Sequence, residues 1–312
     1  METSTSSGNP LRDLSDSLAA IVERVGQSVV AVHGRHRIPS SGVIWRHGVV
    51  ITAAHTLRRE DGIEVTLADG RTVAAVLAGR DAGTDVAVLK LDGVDLAPVE
   101  SGDARSLKAG HLVLAVARGG GVGASADFGV IGSAGGPWRT WRGGQLDAFV
   151  QLDGGLHPGF SGAALADVHG RVMGICTSAL ARGTGMVIPG MTVERVTEEL
   201  LAKGHVSRGY LGIGTQQVNL SDAWIKKMNL SSNRGLLVNS LAPGGPAEEA
   251  GVLIGDVLIE LGGKPCRDMD DVHTALGSGS IGQQLKIALI RGGERNECSV
   301  TVGERPQRDS CR

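Results

Sequence analysis

The sequence predicts a mainly β fold in two units, an antiparallel barrel or sandwich followed by a smaller domain. Three observations carry this. A length of 312 residues corresponds to about two domains of ordinary size. The 48 glycines are about twice the usual share of roughly 7% and follow no G-X-Y period, which suits many tight turns. From Ser28 onward, short apolar runs alternate with turn residues rather than with helices of βαβ length.

The elements can be justified in chain order. Residues 1–27 read as a tail and helix: after a Ser/Thr/Gly/Pro-containing start, Leu14, Leu18, Ile21, Val22 and Val25 fall on one helical face. Strands are expected at Ser28 to Val32, Gly42 to Trp45, Val49 to Ala53, Ile63 to Leu67, Thr72 to Leu77, Val86 to Leu91 and Leu112 to Ala117. Asp69-Gly70 is a hairpin signal, and Gly119-Gly120-Gly121, Gly135-Gly136-Pro137 and Gly143-Gly144 mark loops. A helix from Val193 to Lys203 stops at Gly204, which places a boundary near 205–208. The second unit alternates strands (Leu236 to Asn239, Val257 to Leu261, Leu285 to Arg291, Glu297 to Val302) with helical candidates Pro246 to Ala250 and Asp268 to Leu276. The domain limits expected are therefore 28–205 and 206–305, with residues 306–312 a C-terminal tail.

Composition excludes several function classes. Lys+Arg 31 against Asp+Glu 33 gives a net charge of -2, so nothing basic points to nucleic acid. No apolar run approaches the ~18 residues of a membrane span, and the polar start carries no basic leader. As written the chain is expected in the cytoplasm, or in the periplasm if a leader is missing. Cys176, Cys266, Cys298 and Cys311 are too scattered for a disulfide framework or a Cys-x-x-Cys metal site and read as reduced thiols. His33-x-x-His36 lacks a Cys or carboxylate partner nearby, so no metal or other cofactor is expected.

Three segments carry potential chemistry. Val49 to Ala54 is an apolar run ending in His55; Asp85 opens the apolar run Val86 to Leu91; and His157-Pro158-Gly159-Phe160-Ser161-Gly162 holds a serine in a tight turn. A carboxylate opening such a strand is partly buried and needs donors. Glycine at 159 lets the N–H groups of residues 159 and 161 point into one hollow, as an oxyanion requires. Each segment alone is weak. Together they present His, Asp and Ser in the chain order of chymotrypsin-type sites.

At this level of detail the sequence resembles the high-temperature-requirement (HtrA/DegP-type) serine proteases from about residue 18 to 304. The three segments are similar to that family's T-x-x-H, T-D-[LV]-A-V-L-K and N-P-G-N-S-G-G-P motifs. Ser41-Gly42-Val43-Ile44, Gln151-Leu152-Asp153, Gly185-Met186-Val187-Ile188-Pro189 and Arg208-Gly209-Tyr210-Leu211-Gly212-Ile213 resemble further family segments in register. Departures are His157 and Phe160 for Asn, and Ala163-Ala164 for Gly-Pro.

The resemblance implies a chymotrypsin-like double β-barrel followed by a small α+β PDZ domain. It implies an ATP-independent serine endopeptidase of protein quality control that acts on unfolded or misfolded chains, with His55, Asp85 and Ser161 as triad and Gly159 and Ser161 as oxyanion donors. No nucleotide loop of the Gly-x-x-x-x-Gly-Lys type is present. Gly155, six before the nucleophile, would lie at the base of the specificity pocket, with its walls from Gly174 to Ser178, Cys176 among them, and from Gly185 and Met186. That set predicts cleavage after Ala, Val, Ile or Leu. Tyr210, Leu211, Gly212 and Ile213 would receive a peptide C-terminal carboxylate, with Val272 and Leu276 forming the opposite wall for hydrophobic C-termini. A homotrimer is a further implication, although residues 1–44 contain no Phe, Tyr or Trp. The alternative is a catalytically weak protease-fold chaperone or scaffold; an esterase acting on small molecules is a third reading.

Overall fold

The computed structural model describes residues 9–35, 38–94, 96–119 and 123–306. His36 and Cys311 lie outside them, as do Gly120 and Gly121 of the first glycine loop. The chain divides into two compact units, Met1–Val206 and Ser207–Arg312.

In the first unit, helix α1 (Pro10–Gly26) starts at Asn9, whose side chain accepts from Leu11 N–H, and buries Ile21 and Val25. Six strands then close a barrel in the order β1-β2-β3-β6-β5-β4: β1 (Val29–His33), β2 (Ser40–Arg46), β3 (Val49–Ala53), β4 (Ile63–Thr66), β5 (Thr72–Asp81) and β6 (Val86–Leu91). Its interior holds Val30, Val32, Ile44, Val50, Ile63, Val65 and Leu89. The expected strand starting at Ser28 starts one residue later, because Ser28 N–H still donates back to Val25 O at the end of α1.

A second barrel closes in the order β11-β14-β13-β12-β7-β8. It comprises β7 (Leu112–Ala117), β8 (Ser125–Gly135), β11 (Phe149–Leu152), β12 (Ala164–Asp167), β13 (Val172–Thr177) and β14 (Met186–Pro189), while β9 (Trp138–Arg139) and β10 (Gln145–Leu146) form a separate hairpin. Helix α2 (Gly190–Lys203) ends at Gly204 in the left-handed conformation. Val193, Val196 and Leu200 of α2 join Ile51, Val88, Val116, Ile175 and Ile188 in one cluster drawn from both barrels. Such fully buried aliphatic side chains contribute roughly 1.5–3 kcal/mol each. That shared core presses the two barrels together.

The second unit carries a sheet in the order β16-β17-β18-β20-β21, made of β16 (Ile213–Asn219), β17 (Arg234–Leu241), β18 (Val257–Leu261), β20 (Gln284–Arg291) and β21 (Glu294–Thr301), with β19 (Lys264–Pro265) on β18. β15 (Gly209–Tyr210) pairs with β22 (Gly303–Glu304). Helices α3 (Asp222–Met228), α4 (Pro246–Glu249) and α5 (Met269–Ala275) complete it. The sequence pattern misses α3, which is only 7 residues long and buries none of them fully. One face of the sheet packs Val238, Leu258, Ile287 and Leu289 with Val272 of α5; Val257, Ile259, Ala288 and Ile290 meet Trp224 and Ile225 of α3. Mainly β architecture with two six-stranded barrels and a small α+β unit is the fold expected.

Candidate active site

The first constellation follows from strand register. β3 and β6 run antiparallel with Ala53 opposite Val86, so the residues just beyond those ends converge. Ala54 N donates to Asp85 O at 2.9 Å, and a short 3-10 turn, Ala54–Thr56, lifts His55. Asp85 has φ 62, a left-handed conformation that Asp tolerates better than most residues. Asp81 shapes the turn before it: its carboxylate accepts from Gly83 N at 3.2 Å, from Thr84 N at 2.9 Å and from Thr84 Oγ1 at 2.8 Å.

Asp85 is fully buried, at 0% exposure, and its oxygens are well supplied with donors. Oδ1 accepts from the His55 backbone N–H at 2.8 Å, and Oδ2 faces His55 Nδ1 at 2.8 Å. Thr177 Oγ1, at the end of β13, also donates to Oδ2. The carboxylate is an acceptor only when ionised, so Nδ1 carries the imidazole proton and Nε2 presents its lone pair to the other side.

Ser161 reaches that side from the loop between β11 and β12. Phe160 N donates to His157 O and Ala163 N to Phe160 O, both at 3.0 Å, which tightens the turn around the serine. Gly162 has φ +89, and a Cβ there would stand 1.9 Å from Ser41 O, so only glycine fits. Ser41 fastens the turn twice: its N–H donates to Ser161 O at 3.1 Å and its hydroxyl to Gly159 O at 2.8 Å. The Ser41 hydroxyl in turn accepts from Arg118 N at 2.9 Å. Phe160, Gly162 and Ala163 use their N–H groups on protein carbonyls, whereas those of Gly159 and Ser161 meet no acceptor among the described residues. Two such donors on one turn suit an oxyanion.

Ser178 is a hydroxyl that sequence reasoning places only in a pocket wall. Its Oγ lies 3.1 Å from Ser161 Oγ and 3.5 Å from His55 Nε2. Asp85, His55, Ser178 and Ser161 thus form one continuous row.

The substituted positions around the nucleophile pack inward. Phe160 is 8% exposed in the second-barrel core and meets His157 edge-on at 5.9 Å between ring centroids. Ala163 joins the same core and Ala164 the cluster between the barrels, both fully buried.

Around the expected pocket, Gly185 O accepts from Leu152 N at 2.9 Å, and Gly185 N donates to Gly154 O at 2.7 Å. A Cβ on Gly185 would approach Leu152 Cδ1 to 2.9 Å and Leu156 Cγ to 3.1 Å, so two leucines flank this glycine. Gly155 has space: a Cβ there meets only Gly183 O, at 3.5 Å. Cys176 and Met186 are buried behind the surface, Cys176 in the second-barrel core and Met186 between the barrels. Burial, with a smaller contribution from Asp127, pushes the Cys176 thiol up to about 12. Leu152 and Leu156 are absent from the expected set because nothing local in the sequence says which way they face.

In the second unit, β16 is an end strand of its sheet, and Thr215 Oγ1 on it donates to Met269 Sδ on α5 at 3.0 Å. Leu211 and Val272 are core residues, while Ile213 and Leu276 pack partly buried against the same cluster. Tyr210 is half-buried, and Gly212 carries φ +77 in the turn that leads into β16. Thr215 thus sets β16 against the start of α5, and the 210–213 turn leads into β16.

His33 Nε2 bonds Thr66 Oγ1 at 2.8 Å. Among the described residues no cluster of three or more His, Cys, Asp and Glu could hold a metal ion, and no helix is long and apolar enough to cross a membrane.

Comparison with known proteins finds a match in each of the two units. Residues 40–175 match the trypsin-like peptidase domain, and residues 209–302 match the PDZ domain. A probable periplasmic serine endoprotease, DegP-like, from Pseudomonas putida is 34% identical over 276 residues, covering 87% of this chain and 57% of that protein. One of the same description from Halomonas elongata is 33% identical over 279 residues, again 87% and 57%. The chain therefore spans little more than half the length of these curated relatives. Among solved structures, the HtrA-type protease AlgW with a decapeptide superposes with TM-score 0.76 at 27% identity, covering 93% of this chain and 99% of that one. An AlgW variant with a tripeptide gives 0.76 at 30% identity, covering 93% and 98%. The serine endoprotease from Yersinia pestis gives 0.75 at 29%, covering 92% and 98%.

Proposed function

The chain belongs to the HtrA-type protease family, and from that premise we propose that it is an ATP-independent serine endopeptidase acting on unfolded or misfolded chains. The observation that carries the proposal is the pairing of His55 with buried Asp85 on one barrel, linked through the Ser178 hydroxyl to Ser161 on the other. Ser161 Oγ attacks the peptide carbonyl, and His55 is the base that takes the proton and returns it to the leaving amine. Asp85 fixes the tautomer and stabilises the imidazolium. The developing oxyanion faces the N–H groups of Gly159 and Ser161, a donor of this kind being worth about 2.7–4 kcal/mol. Inward packing of Phe160, Ala163 and Ala164 favours this reading over a catalytically weak scaffold, since none of the three projects into the row.

The primary pocket, with Gly155 at its base and Leu152 and Leu156 beside Gly185, offers apolar walls and a base position that itself carries no side chain. This supports cleavage after Ala, Val, Ile or Leu rather than after Lys or Arg. Residues 206–305 act as a PDZ domain: a hydrophobic peptide C-terminus adds to β16 beside α5, its carboxylate received by the N–H groups of the 210–213 turn. The names of its relatives favour a periplasmic site of action, and assembly as a homotrimer is part of the same proposal.

The test is intact-mass analysis of wild type and Ser161→Ala after a fluorophosphonate probe, with digestion of unfolded casein in parallel. A single adduct and casein cleavage in wild type alone support an endopeptidase. Equal cleavage by both proteins would sink it.

A further inference from the structure

Resting on the endopeptidase reading, we propose that Arg118 is a positioning residue for the oxyanion turn, anchoring that turn to the C-terminal end of helix α1. Arg118 follows the last residue of β7, and β7 lies beside β12 with Val116 opposite Ala164. Register therefore brings the main chain at 118 and 119 up to the turn that carries Ser161. Arg118 N donates to Ser41 Oγ at 2.9 Å, and Ser41 Oγ donates to Gly159 O at 2.8 Å. Gly119 adds a second contact from the same segment: a Cβ on it would stand 2.6 Å from Gly159 Cα. A shift of the main chain at 118 is therefore passed to Gly159 and its N–H.

The Arg118 side chain fixes that main chain from the other side. It is 7% exposed, its Nε donates to Val29 O at 2.7 Å, and its Nη2 donates to Gly26 O at 2.9 Å. Gly26 is the last residue of α1, so a carbonyl without an intrahelical partner is satisfied by a cation at the negative end of the helix dipole. No carboxylate among the described residues pairs with the guanidinium, and burial lowers its pKa from the ordinary value. The helix is itself seated: Ile21 and Val25 enter the cluster between the barrels, and Arg24 Nη2 donates to His169 O.

An aliphatic side chain of similar volume would fill this site without carrying a charge out of water. The guanidinium adds what such a chain lacks, a rigid planar fork that bonds two carbonyls at once and so leaves one place for its own backbone. Helix α1, outside both barrels, thereby reaches the oxyanion donor through the Arg118 side chain, Ser41 Oγ and Gly159 O.

The experiment compares full-length wild type, Arg118→Met, Arg118→Lys and Gly26→Ala, with active sites titrated by a fluorophosphonate probe. Peptide kcat and KM, inhibition by a peptide aldehyde, the pH profile of kcat/KM and the melting temperature are measured for each. The aldehyde forms a tetrahedral adduct with Ser161 whose oxygen faces the oxyanion donors, so its Ki reads the turn where KM does not. Arg118→Met is expected to lower kcat by about tenfold or more, part of the 10²–10³ lost when an oxyanion donor is removed outright. The aldehyde should weaken by a similar factor, with KM and the pH profile unchanged. Arg118→Lys keeps the charge but attaches at a single point, and its kcat should fall between those of Arg118→Met and wild type. In Gly26→Ala the new Cβ would meet Ala124 Cβ at 2.9 Å and move the helix end with Arg118 intact, so kcat should fall in the same sense. Arg118→Lys and Gly26→Ala carry the test if Arg118→Met does not fold. Variants that melt lower yet keep wild-type kcat and aldehyde Ki per active site overturn the positioning role alone. A wild type that takes no probe overturns the endopeptidase reading, and the role with it.

Discussion

Asp85 grips His55 at two points, Oδ1 on the backbone N–H and Oδ2 on Nδ1, each at 2.8 Å. This double hold fixes both the ring's orientation and its tautomer. Asp85→Asn keeps the side-chain shape, and Asn tolerates the left-handed φ of 62 as Asp does. The change should therefore cost on the order of 10⁴ in kcat by offering the wrong tautomer, with thermal stability little altered. Steady-state kinetics beside a melting curve would check it; a loss of activity that tracks unfolding would count against the tautomer argument.

Gly159 has φ +91, and its Cβ would stand 2.9 Å from the Cα of Gly119. Gly159→Ala thus adds backbone strain of about 1–3 kcal/mol and a contact that only main-chain movement relieves. The movement displaces the Gly159 N–H, so kcat should fall by about 10² or more with a smaller change in KM. Retained wild-type kcat would show that this N–H is not an oxyanion donor.

Ser41 is fully buried between Gly159 O and Arg118 N. Ser41→Ala leaves both without that partner, at a cost of about 1–3 kcal/mol in stability. Because Gly159 O belongs to the oxyanion turn, the loss should appear in kcat as well as in the melting temperature. Urea unfolding and peptide kinetics on the same preparation separate the two effects, and an unshifted midpoint would refute the clamp.

Asp256 in the second unit is 2% exposed and bonded by Arg291 Nε and Nη2 at 2.8 and 2.7 Å and by Leu253 N at 2.8 Å. Burial alone would raise its carboxyl, yet the Arg291 hydrogen bonds, the Leu253 N–H and the guanidinium charge outweigh burial and hold it below the ordinary value. A group depressed in the folded state stabilises above its unfolded pKa of about 3.9 and loses that contribution as pH falls through the folded value. Asp256→Asn should therefore destabilise the second unit at neutral pH and narrow its gap from wild type below about pH 4. Denaturation monitored through Trp224 at several pH values tests the sign; a gap that widens on acidification would contradict it.

The segments carrying His55, Asp85 and Ser161 were legible in the sequence because each is local: a strand with its exit residue, a strand with its entry residue, and a glycine-bounded turn. Most first-barrel strands were legible for the same reason, as apolar runs between turn residues. β8, with Asp127 half-buried and Phe128 at 51% exposure, shows no such run and escaped the pattern. Helix α3 escaped because 7 residues with no fully buried side chain make too short a stripe to stand out.

The sequence by itself determined the two-unit β plan, the order His, Asp, Ser, and the glycines that permit the nucleophile turn. Tertiary structure alone decided that Ser41 would hold Gly159 across 118 residues, that Ser178 would stand between Ser161 and His55, and that Leu152 and Leu156 would flank Gly185. The reason is physical. Periodicity and turn chemistry act over a few residues, whereas barrel closure and strand register choose which distant side chains meet, and a one-residue slip of any strand would turn its side chains to the opposite face.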